Sequence, residues 1–551
     1  MSNQMLGYIV VFGIFGVFMV IAYMTRTKKS DDFYVAGRRI HPIWNGMAIG
    51  ADWMSAASFI SMAGALAALG YDGLSFIMGW TGGYVLLTLV IAPYLRKFGK
   101  YTAADFVGDR FESHGARIVA VICAITISMC YCIAQVAGCG IIMSRLMGFS
   151  LNVAIAIGII IVVASTVMGG MKSITWTQCA QYLVLIVGYL IPVTALCLQQ
   201  YGHPFPQLAY GDLLYKIVAK EQELGIKPLY IEPFTKMAGM DMWVLTLVLM
   251  IGTAGLPHIM MRYFTTPTVR DARYSSGWAL IAIAALYITA PAYAAFQKYE
   301  VLYNVVGQPI AALPEWVNAW GKTGLITVKD ANLDGILQYS ELIMHRDVVV
   351  LSMPEVAQLP YIVSALVAAG GLAAAISTAD GLLMVIASAI SHDIYYRIIN
   401  PNASEGQRVF MGKSLIGVFA VICGVIASFQ IGFIVQIVAW AFSLAAATFF
   451  PVIVMGLFYK RTNKEGAIIG MIGGLLITIY YIGAVKFGWP HKLTPILGIK
   501  DMGAGLFGMI FNFLACGIIS QFTPPPSQKT QDLVDHCRYP VKLTDEHDSF
   551  H

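Results

Sequence analysis

The chain has 551 residues, of which 58% are hydrophobic and only 12% charged, and its mean hydropathy is +0.71. Soluble globular proteins carry about twice this share of charged residues, so the composition excludes a soluble enzyme and indicates a polytopic membrane protein. The net charge of +5 is small for this length and does not indicate nucleic acid as a partner. The nine cysteines show no CxxC pair and no metal-type spacing, so we expect reduced cysteines that pack as small apolar residues.

Thirteen apolar regions are long enough to cross a bilayer, which takes about 20 residues. They lie near residues 5–24, 43–69, 75–95, 117–146, 151–168, 175–198, 242–261, 275–297, 359–388, 409–428, 434–457, 466–485 and 503–521. We therefore predict an all-α polytopic membrane protein whose transmembrane domain covers residues 1–521. Two longer loops at 199–241 and 297–358 are predicted to face outward. The polar tail over residues 522–551 lacks periodicity, so we predict that it is disordered.

Lys and Arg concentrate in the loops after the odd-numbered regions and in the tail, as at Arg38, Arg39 and Lys460. By the positive-inside rule, the tail is then cytoplasmic and the N-terminus outside. This pattern predicts a multi-pass protein of the cell membrane, whose partners are the lipid bilayer and a small solute. The sequence identifies no protein partner.

The second apolar region contains an unusual stretch, Gly50–Gly64, with the sequence GADWMSAASFISMAG. Asp52 is a carboxylate at membrane depth, where it costs roughly 2.5 to 3.5 kcal/mol on insertion scales, so it marks a functional site by default. Ser55 and Ser58 add hydroxyls close by. Because residues this small cover the backbone poorly, we predict that the helix is broken here.

The seventh region contains GTAGLPHIMMRYF, in which Gly255 and Pro257 interrupt an apolar crossing. Proline removes an amide donor and glycine lowers helix propensity, so we predict unwinding near Thr253–Leu256, although a simple proline kink is the alternative. Broken helices five crossings apart indicate an inverted-repeat secondary transporter. The sequence has no GxxxxGK[ST], GxSxG or HExxH pattern, which argues against ATP-driven transport and membrane hydrolysis.

The ninth region, LAAAISTADGLLMVIASAISHD, places two adjacent hydroxyls, Ser377 and Thr378, on a helix of small residues. Neutral oxygens from hydroxyls and exposed carbonyls suit Na⁺. The alternative is that these hydroxyls bond only to their own helix backbone. Asp380, two residues on, could bind or relay a cation, or could stay hydrated in a cavity.

The outer segment before the ninth region contains a complete EF-hand-like loop, DANLDGILQYSE, at 330–341. It fits the pattern D-x-[DN]-x-[DN]-G-x5-E, which supplies the many hard oxygens that Ca²⁺ requires. The predicted calcium ligands are Asp330, Asn332, Asp334, the carbonyl of Ile336, Gln338 and Glu341. On an outward loop such an ion is expected to have a structural role.

Four stretches resemble the sodium/solute symporter family, and within it the cation/acetate or monocarboxylate branch. They are YVAGRR at 34–39, GGMKSITWTQCAQ at 169–181, AAAISTADG with the SHDIYY that follows it, and GLFYKRTNKEGAIIGMIGG at 456–474. The resemblance covers nearly everything from residue 5 to about 521. It implies a leucine-transporter-type fold with a 5+5 inverted repeat, at about 43–198 and 242–457.

In such symporters a sodium ion lies between the first and eighth core helices, which correspond here to the second and ninth regions. The resemblance implies these ligands: the carbonyls of Ala51, Met54 and Ala374, and the hydroxyls of Ser377 and Thr378. One position departs from the family pattern, because Gln178 stands where many members carry an acidic residue. Asp52 and Asp380 are candidate substitutes for that missing charge.

The break in the second region offers too few polar groups for a sugar, and no Lys or Arg is predicted deep in any region. Backbone amides and the positive dipole at a helix break could instead hold a small carboxylate. The predicted contacts are Ser55, Ser58, Thr253 and Gly255. We therefore predict Na⁺-coupled uptake of acetate or a similar monocarboxylate, and no enzymatic activity. Proline or another amino acid, urea, proton coupling and a nutrient-sensor role are the alternatives.

Overall fold

The structure is a computed structural model that describes residues 3–538, and it is built mostly from α-helices. The first nine helices are α1 (Asn3–Met24), α2 (Ser30–Val35), α3 (Pro42–Trp53), α4 (Met62–Leu69), α5 (Leu74–Leu86), α6 (Ala92–Phe98), α7 (Ala103–Arg110), α8 (His114–Met147) and α9 (Leu151–Tyr201). The next eight are α10 (Pro206–Glu223), α11 (Gly239–Ala254), α12 (Pro257–Tyr263), α13 (Val269–Tyr287), α14 (Ala290–Glu300), α15 (Glu315–Gly321), α16 (Val349–Val356) and α17 (Tyr361–Ser388). The last six are α18 (Glu405–Ala427), α19 (Ile434–Ala447), α20 (Phe449–Phe458), α21 (Lys464–Ile482), α22 (Gly505–Phe522) and α23 (Gln528–Arg538).

Wider π-helical turns precede α4, join α5 to α6, and extend α14, α17 and α21. A small antiparallel sheet pairs β1 (Ile326–Val328) with β2 (Leu342–Met344). Helices dominate because a backbone in hydrocarbon must satisfy its hydrogen bonds within its own segment. All nine cysteines are free, as predicted.

Ten of the described helical segments are long and apolar enough to cross a membrane, or eleven when α11 and α12 count as one bent crossing. Two of the ten exceed one crossing. Ala57–Phe98 turns at Gly70–Gly73, and α9 would be about 77 Å long if straight, against a hydrocarbon core of about 30 Å. At Gly170, α9 leaves helical geometry, with φ 57° and ψ −147°. Dividing these two segments would give the predicted thirteen crossings, a count that stays a prediction.

Both helix breaks expected from the sequence are present. Helix α3 ends at Trp53, and helical structure resumes at Ala57 after a non-helical Met54 (φ −77°, ψ 71°). Helix α11 ends at Ala254, and α12 begins at Pro257 with a bend of 42°. The residue types explain both breaks, since small and polar residues surround the first and Gly255 with Pro257 forms the second.

Helix α17 runs through the core of the bundle and packs against α1, α3, α8 and α9. Every residue from Ala369 to Ser388 is buried. Small residues make this close packing possible: a Cβ at Gly381 would overlap the carboxylate of Asp52, and a Cβ at Gly370 would lie 3.1 Å from the ring of Phe59. The helix that carries the predicted ion ligands is therefore shielded from lipid along this stretch.

Part of the predicted disordered tail is folded. Helix α23 buries Thr530, Val534 and Cys537 against the rest of the protein. An ion pair between Lys460 and Asp535 holds it beside α20. The helix forms because its few apolar residues share one face, a short pattern within a polar segment. Residues 539–551 of the predicted tail lie outside the described residues.

Candidate functional site

The two hydroxyls of α17 meet the end of α3, as predicted. Ser377 Oγ lies 2.7 Å from the carbonyl oxygen of Ala51 and 3.0 Å from that of Ala374. Thr378 Oγ1 lies 2.7 Å from the carbonyl oxygen of Asp52 and 3.3 Å from that of Ala374. All five residues are fully buried. The structure thus brings together two hydroxyls and three carbonyls.

The helix break explains which carbonyls are available. A helix leaves its last carbonyls without internal partners. The amide of Met54 bonds to the carbonyl of Gly50, and the amide of Ser55 bonds to that of Trp53, so Ala51 and Asp52 are left to accept from α17. Within the described contacts, the carbonyl of Met54, which was predicted as a ligand, accepts no bond from either hydroxyl. The carbonyl of Asp52 takes that place, and Met54 as a sodium ligand stays a prediction.

This cluster has more acceptors than donors. Ser377 and Thr378 have one hydroxyl proton each, yet together they make four close approaches to carbonyl oxygens. A hard monovalent cation among these oxygens would satisfy the surplus. The arrangement therefore fits Na⁺ without any charged ligand.

A buried ion pair lies beside this cluster. Asp52 Oδ2 is 2.9 Å from Nε of Arg262, and both side chains are fully buried. Arg262 also reaches the hydroxyl of Thr175 at 3.2 Å. The prediction that no Lys or Arg lies deep in the bundle is therefore wrong. Arg262 lies in the last turn of the short helix α12, and the break before Pro257 redirects this helix so that its last turn faces α3.

The other two coupling candidates also contact α17 or lie on it. Gln178 Nε2 donates to the carbonyl oxygen of Ser377 at 2.7 Å, so this amide holds the backbone of the ion cluster where an acidic residue was expected from the family pattern. Asp380 Oδ1 accepts from Ser165 Oγ at 2.9 Å and from Thr166 Oγ1 at 2.6 Å. Asp380 is fully buried and is not the hydrated side chain of the alternative interpretation.

The four predicted substrate contacts have different surroundings. Ser55 lies in the break after α3, and its hydroxyl is buried beside that of Tyr131. Ser58 Oγ lies 2.8 Å from the hydroxyl of Tyr287. Thr253 donates to the carbonyl of Leu249 in its own helix at 2.8 Å. At Gly255 a Cβ would lie 2.7 Å from the carbonyl oxygen of Ala445, so this glycine permits close packing of α11 on α19.

Aromatic side chains that the sequence did not single out surround the same break. The ring of Phe442 lies 6.2 Å from Trp53, 5.8 Å from Trp80 and 5.8 Å from Tyr131, and Tyr131 lies 5.4 Å from His258. These residues come from five different helices, so no local pattern could have grouped them.

Several buried polar groups near these rings are unpaired within the described residues. They are Trp80 Nε1, Gln135 Nε2 and His258 Nδ1. The side-chain amide of Gln135 is held in place through its Oε1, which accepts a hydrogen bond from the backbone N–H of Ala56 at 2.9 Å. The atoms of Trp80 and Gln135 are obligate N–H donors. The region around Phe442 is therefore lined by aromatic side chains and also contains N–H donors that have no hydrogen-bond partner within the described residues.

The segment that follows β2 covers the second half of the broken helix. The Ser61 hydroxyl donates to Asp347, and His345 Nδ1 lies 3.3 Å from the other carboxylate oxygen. A Cβ at Gly64 would overlap the carbonyl oxygen of Arg346. Burial raises the pKa of Asp347, while His345 and Ser61 act in the opposite direction. The segment after β2 is thus tightly fitted to the helical turns before α4.

The EF-hand-like loop lies between the two strands. Asp330 Oδ2 accepts the amide of Gly335 at 3.1 Å, and both carboxylate oxygens of Glu341 accept loop amides. Backbone bonds join Leu337 to Gly307 and Gln308. Among the described residues, three metal-type side chains converge within 4.8 Å only at Asp105, His392 and Asp393, so the carboxylates of this loop do not meet at that distance.

Sequence comparison identifies the family. Residues 33–326 and 341–474 match the sodium:solute symporter family. The chain belongs to this family. A monocarboxylic acid transporter of Corynebacterium glutamicum is 30% identical to the symporter over 86% of this chain and 82% of that protein. An uncharacterized symporter of Cupriavidus necator is 36% identical over 97% of this chain and 94% of that protein.

Structural comparison gives a consistent result. A Na⁺-coupled sialic acid symporter in a substrate-bound, outward-open state matches with a TM-score of 0.71 at 17% identity, covering 95% of this chain and 99% of that one. This likeness shows a shared fold and confirms the predicted leucine-transporter type. The family match shows that the symporter is a Na⁺-coupled secondary transporter and not an enzyme. The boundaries of the two repeats stay a prediction.

Proposed function

We propose that the protein carries Na⁺ together with a short monocarboxylate such as acetate. The observation that carries this proposal is the surplus of unused donors around Phe442, beside a break that exposes backbone. A carboxylate accepts several hydrogen bonds and needs no basic partner when N–H groups surround it. The one arginine of this region, Arg262, is already paired with Asp52. The 30% identical monocarboxylic acid transporter supports the same substrate class.

The Na⁺ site and the substrate region share one helix break, which accounts for coupling. Na⁺ between Ala51, Ser377 and Thr378 fixes the end of α3 against α17. The same break positions Ser55 and the amide of Ala56 on its other side, next to Gln135. Ion binding therefore orders the segment that contacts the solute, and release of the ion loosens it. Alternating access then moves both together across the membrane.

The transport prediction is tested with purified protein in proteoliposomes. A tenfold Na⁺ gradient is worth about 1.4 kcal/mol for each ion carried, so at least about tenfold accumulation of labelled acetate is expected. Excess unlabelled propionate should compete, whereas proline and urea should not. A K⁺ gradient of the same size is the control. Uptake that ignores the Na⁺ gradient, or that follows a proton gradient alone, would contradict the proposal.

We further propose that the loops rich in Lys and Arg, and with them the C-terminal helix α23, face the cytoplasm of a cell-membrane protein. The positive-inside rule supports this orientation. Solute and bilayer are then the partners that the transport cycle requires. Inward transport follows the Na⁺ gradient across the cell membrane.

We also propose Ca²⁺ as a structural ion in the loop 330–341. All of the loop except Glu341 lies in the internal segment, 327–340, that the family match omits, so its calcium pattern is not explained by the family's common function. Its ligands sit on a turn that is already folded, with Glu341 buried and tied to the amides of Ala331 and Gln338.

Calcium binding is expected to raise the unfolding temperature of the purified protein. Ligand at 100 times its Kd adds about 2.7 kcal/mol of stability. Thermal unfolding with Ca²⁺ and with EGTA measures the effect, and Mg²⁺ is the ion control. Asp330→Asn and Glu341→Gln should remove the shift, whereas Glu315→Gln in the same outer segment should keep it. A wild-type protein that unfolds at the same temperature in both solutions would refute the site.

A further inference from the structure

Phe442 of α19 lies between the two helix breaks. Its ring is 6.2 Å from that of Trp53, the last residue of α3. Its backbone meets α11 just before the second break, because a Cβ at Gly252 would lie 2.2 Å from the carbonyl oxygen of Phe442. This close contact leaves α19 no room to shift toward α11. The ring of Phe442 is therefore held in place between the end of α3 and the end of α11.

Four buried aromatic rings meet at this place, namely those of Trp53, Trp80, Tyr131 and Phe442. The first three carry a polar N–H or O–H group, and the indole N–H of Trp80 is one of the unpaired donors. Of the four, Phe442 alone offers only apolar surface. It can therefore contact the alkyl part of a bound solute, whereas its ring has no group that would hold a carboxylate.

Unpaired polar atoms lie close to the ring of Phe442. The ring of Trp80 is 5.8 Å away, as is that of Tyr131, and Tyr131 lies 5.4 Å from His258, whose Nδ1 has no hydrogen-bond partner within the described residues. A carboxylate held by these donors places its alkyl chain near Phe442. None of the four rings is more than 3% exposed, so the chain has little space into which it can extend.

We propose that Phe442 limits the chain length of the transported monocarboxylate to two or three carbons. The inference rests on the function proposed above and adds the size class of the solute. Protein interiors are packed as densely as organic crystals, so a longer chain must displace this ring or be excluded. If Phe442 served only to pack the helices together, its loss would instead reduce the uptake of all chain lengths in the same proportion.

Uptake of acetate and of valerate by the purified protein in proteoliposomes, under the same Na⁺ gradient, tests this role. The wild type should transport acetate and reject valerate, which has three more methylene groups. In Phe442→Ala, each methylene that enters the space left by the ring should raise the ratio of maximal rate to KM about fourfold. The preference for valerate over acetate should therefore rise about 50-fold, and Phe442→Leu should show a smaller rise.

Phe450→Ala is the matched control. Phe450 is a buried phenylalanine of the next helix, α20, and its ring lies 6.2 Å from that of Phe513 in α22. Its loss should leave the preference between the two acids unchanged. Thermal unfolding shows whether each variant is folded, and Phe442→Leu provides the comparison if Phe442→Ala does not fold.

The outcomes separate this inference from the function on which it rests. Wild-type uptake of acetate, together with an unchanged preference in Phe442→Ala and Phe442→Leu, would overturn the role of Phe442 and leave the proposed function standing. Wild-type uptake of valerate as efficient as that of acetate would also overturn it. Wild-type vesicles that accumulate neither acid would refute the proposed function, and the chain-length role with it.

Discussion

Arg262→Met abolishes Na⁺-driven uptake and destabilises the protein by about 3–5 kcal/mol, the usual cost of removing one partner from a buried ion pair. The cost arises because Asp52 is fully buried and loses the counter-ion that offsets the desolvation of its carboxylate. The unpaired carboxylate lies against Gly381 and next to the carbonyl that Thr378 contacts, so the ion cluster is disturbed as well. Thermal unfolding in detergent and uptake in proteoliposomes measure the two effects.

The double variant Arg262→Met/Asp52→Asn separates charge from shape. It removes both charges and nearly conserves volume, so most of the lost stability should return. Arg270→Met removes an exposed arginine at the start of α13 and should change neither stability nor uptake. Equal destabilisation of the single and double variants would show that the pair contributes by packing and not by charge. Full Na⁺-driven uptake by Asp52→Asn alone would show that Asp52 is not essential for coupling.

Loss of the two hydroxyls of α17 should disable Na⁺ activation. Ser377→Ala and Thr378→Val each remove one ligand oxygen, and valine keeps the volume of threonine. A lost ligand worth about 1.4 kcal/mol raises the Na⁺ concentration for half-maximal uptake about tenfold, and the double variant should show about a hundredfold increase. Uptake measured over a series of Na⁺ concentrations gives these values.

Ser388→Ala is the matched control for these variants. Ser388 is a buried hydroxyl further along α17, and its Oγ has no hydrogen-bond partner within the described residues. Its loss should leave the Na⁺ dependence unchanged. An unaltered Na⁺ dependence in Ser377→Ala/Thr378→Val would instead place the coupling ion elsewhere.

Local chemistry explains why some features could be predicted from the sequence. Gly255 with Pro257 and the small residues after Asp52 weaken helices wherever they occur, so both breaks could be read from the chain. The family pattern indicates which helices meet, so the contact of Ser377 and Thr378 with the end of α3 could also be predicted. The particular carbonyl could not be predicted: whether Asp52 or Met54 faces Thr378 depends on the single residue at which α3 stops.

Features formed by distant segments were missed. Arg262 pairs with a residue 210 positions away, and nothing near it in the sequence distinguishes it from an arginine at a membrane edge. The aromatic residues around Phe442 come together only when five helices pack. Helix α23 has too few apolar residues to fold by itself, and it forms where Lys460 and the ends of the membrane helices provide a surface.

The contact of Gly64 with Arg346 restricts how the segment after β2 can move relative to α4. At this contact α4 and the segment after β2 pack with no room for even one methyl group. The hydrogen bond from Ser61 to Asp347 joins the same two parts of the chain. The segment after β2 cannot move away from this position while α4 stays in place, so the two are expected to move as one rigid body. Strand β2 connects the loop 330–341 to Arg346. An ion that makes this loop more rigid would then change the rate at which the transport path opens, although it would not contact the solute.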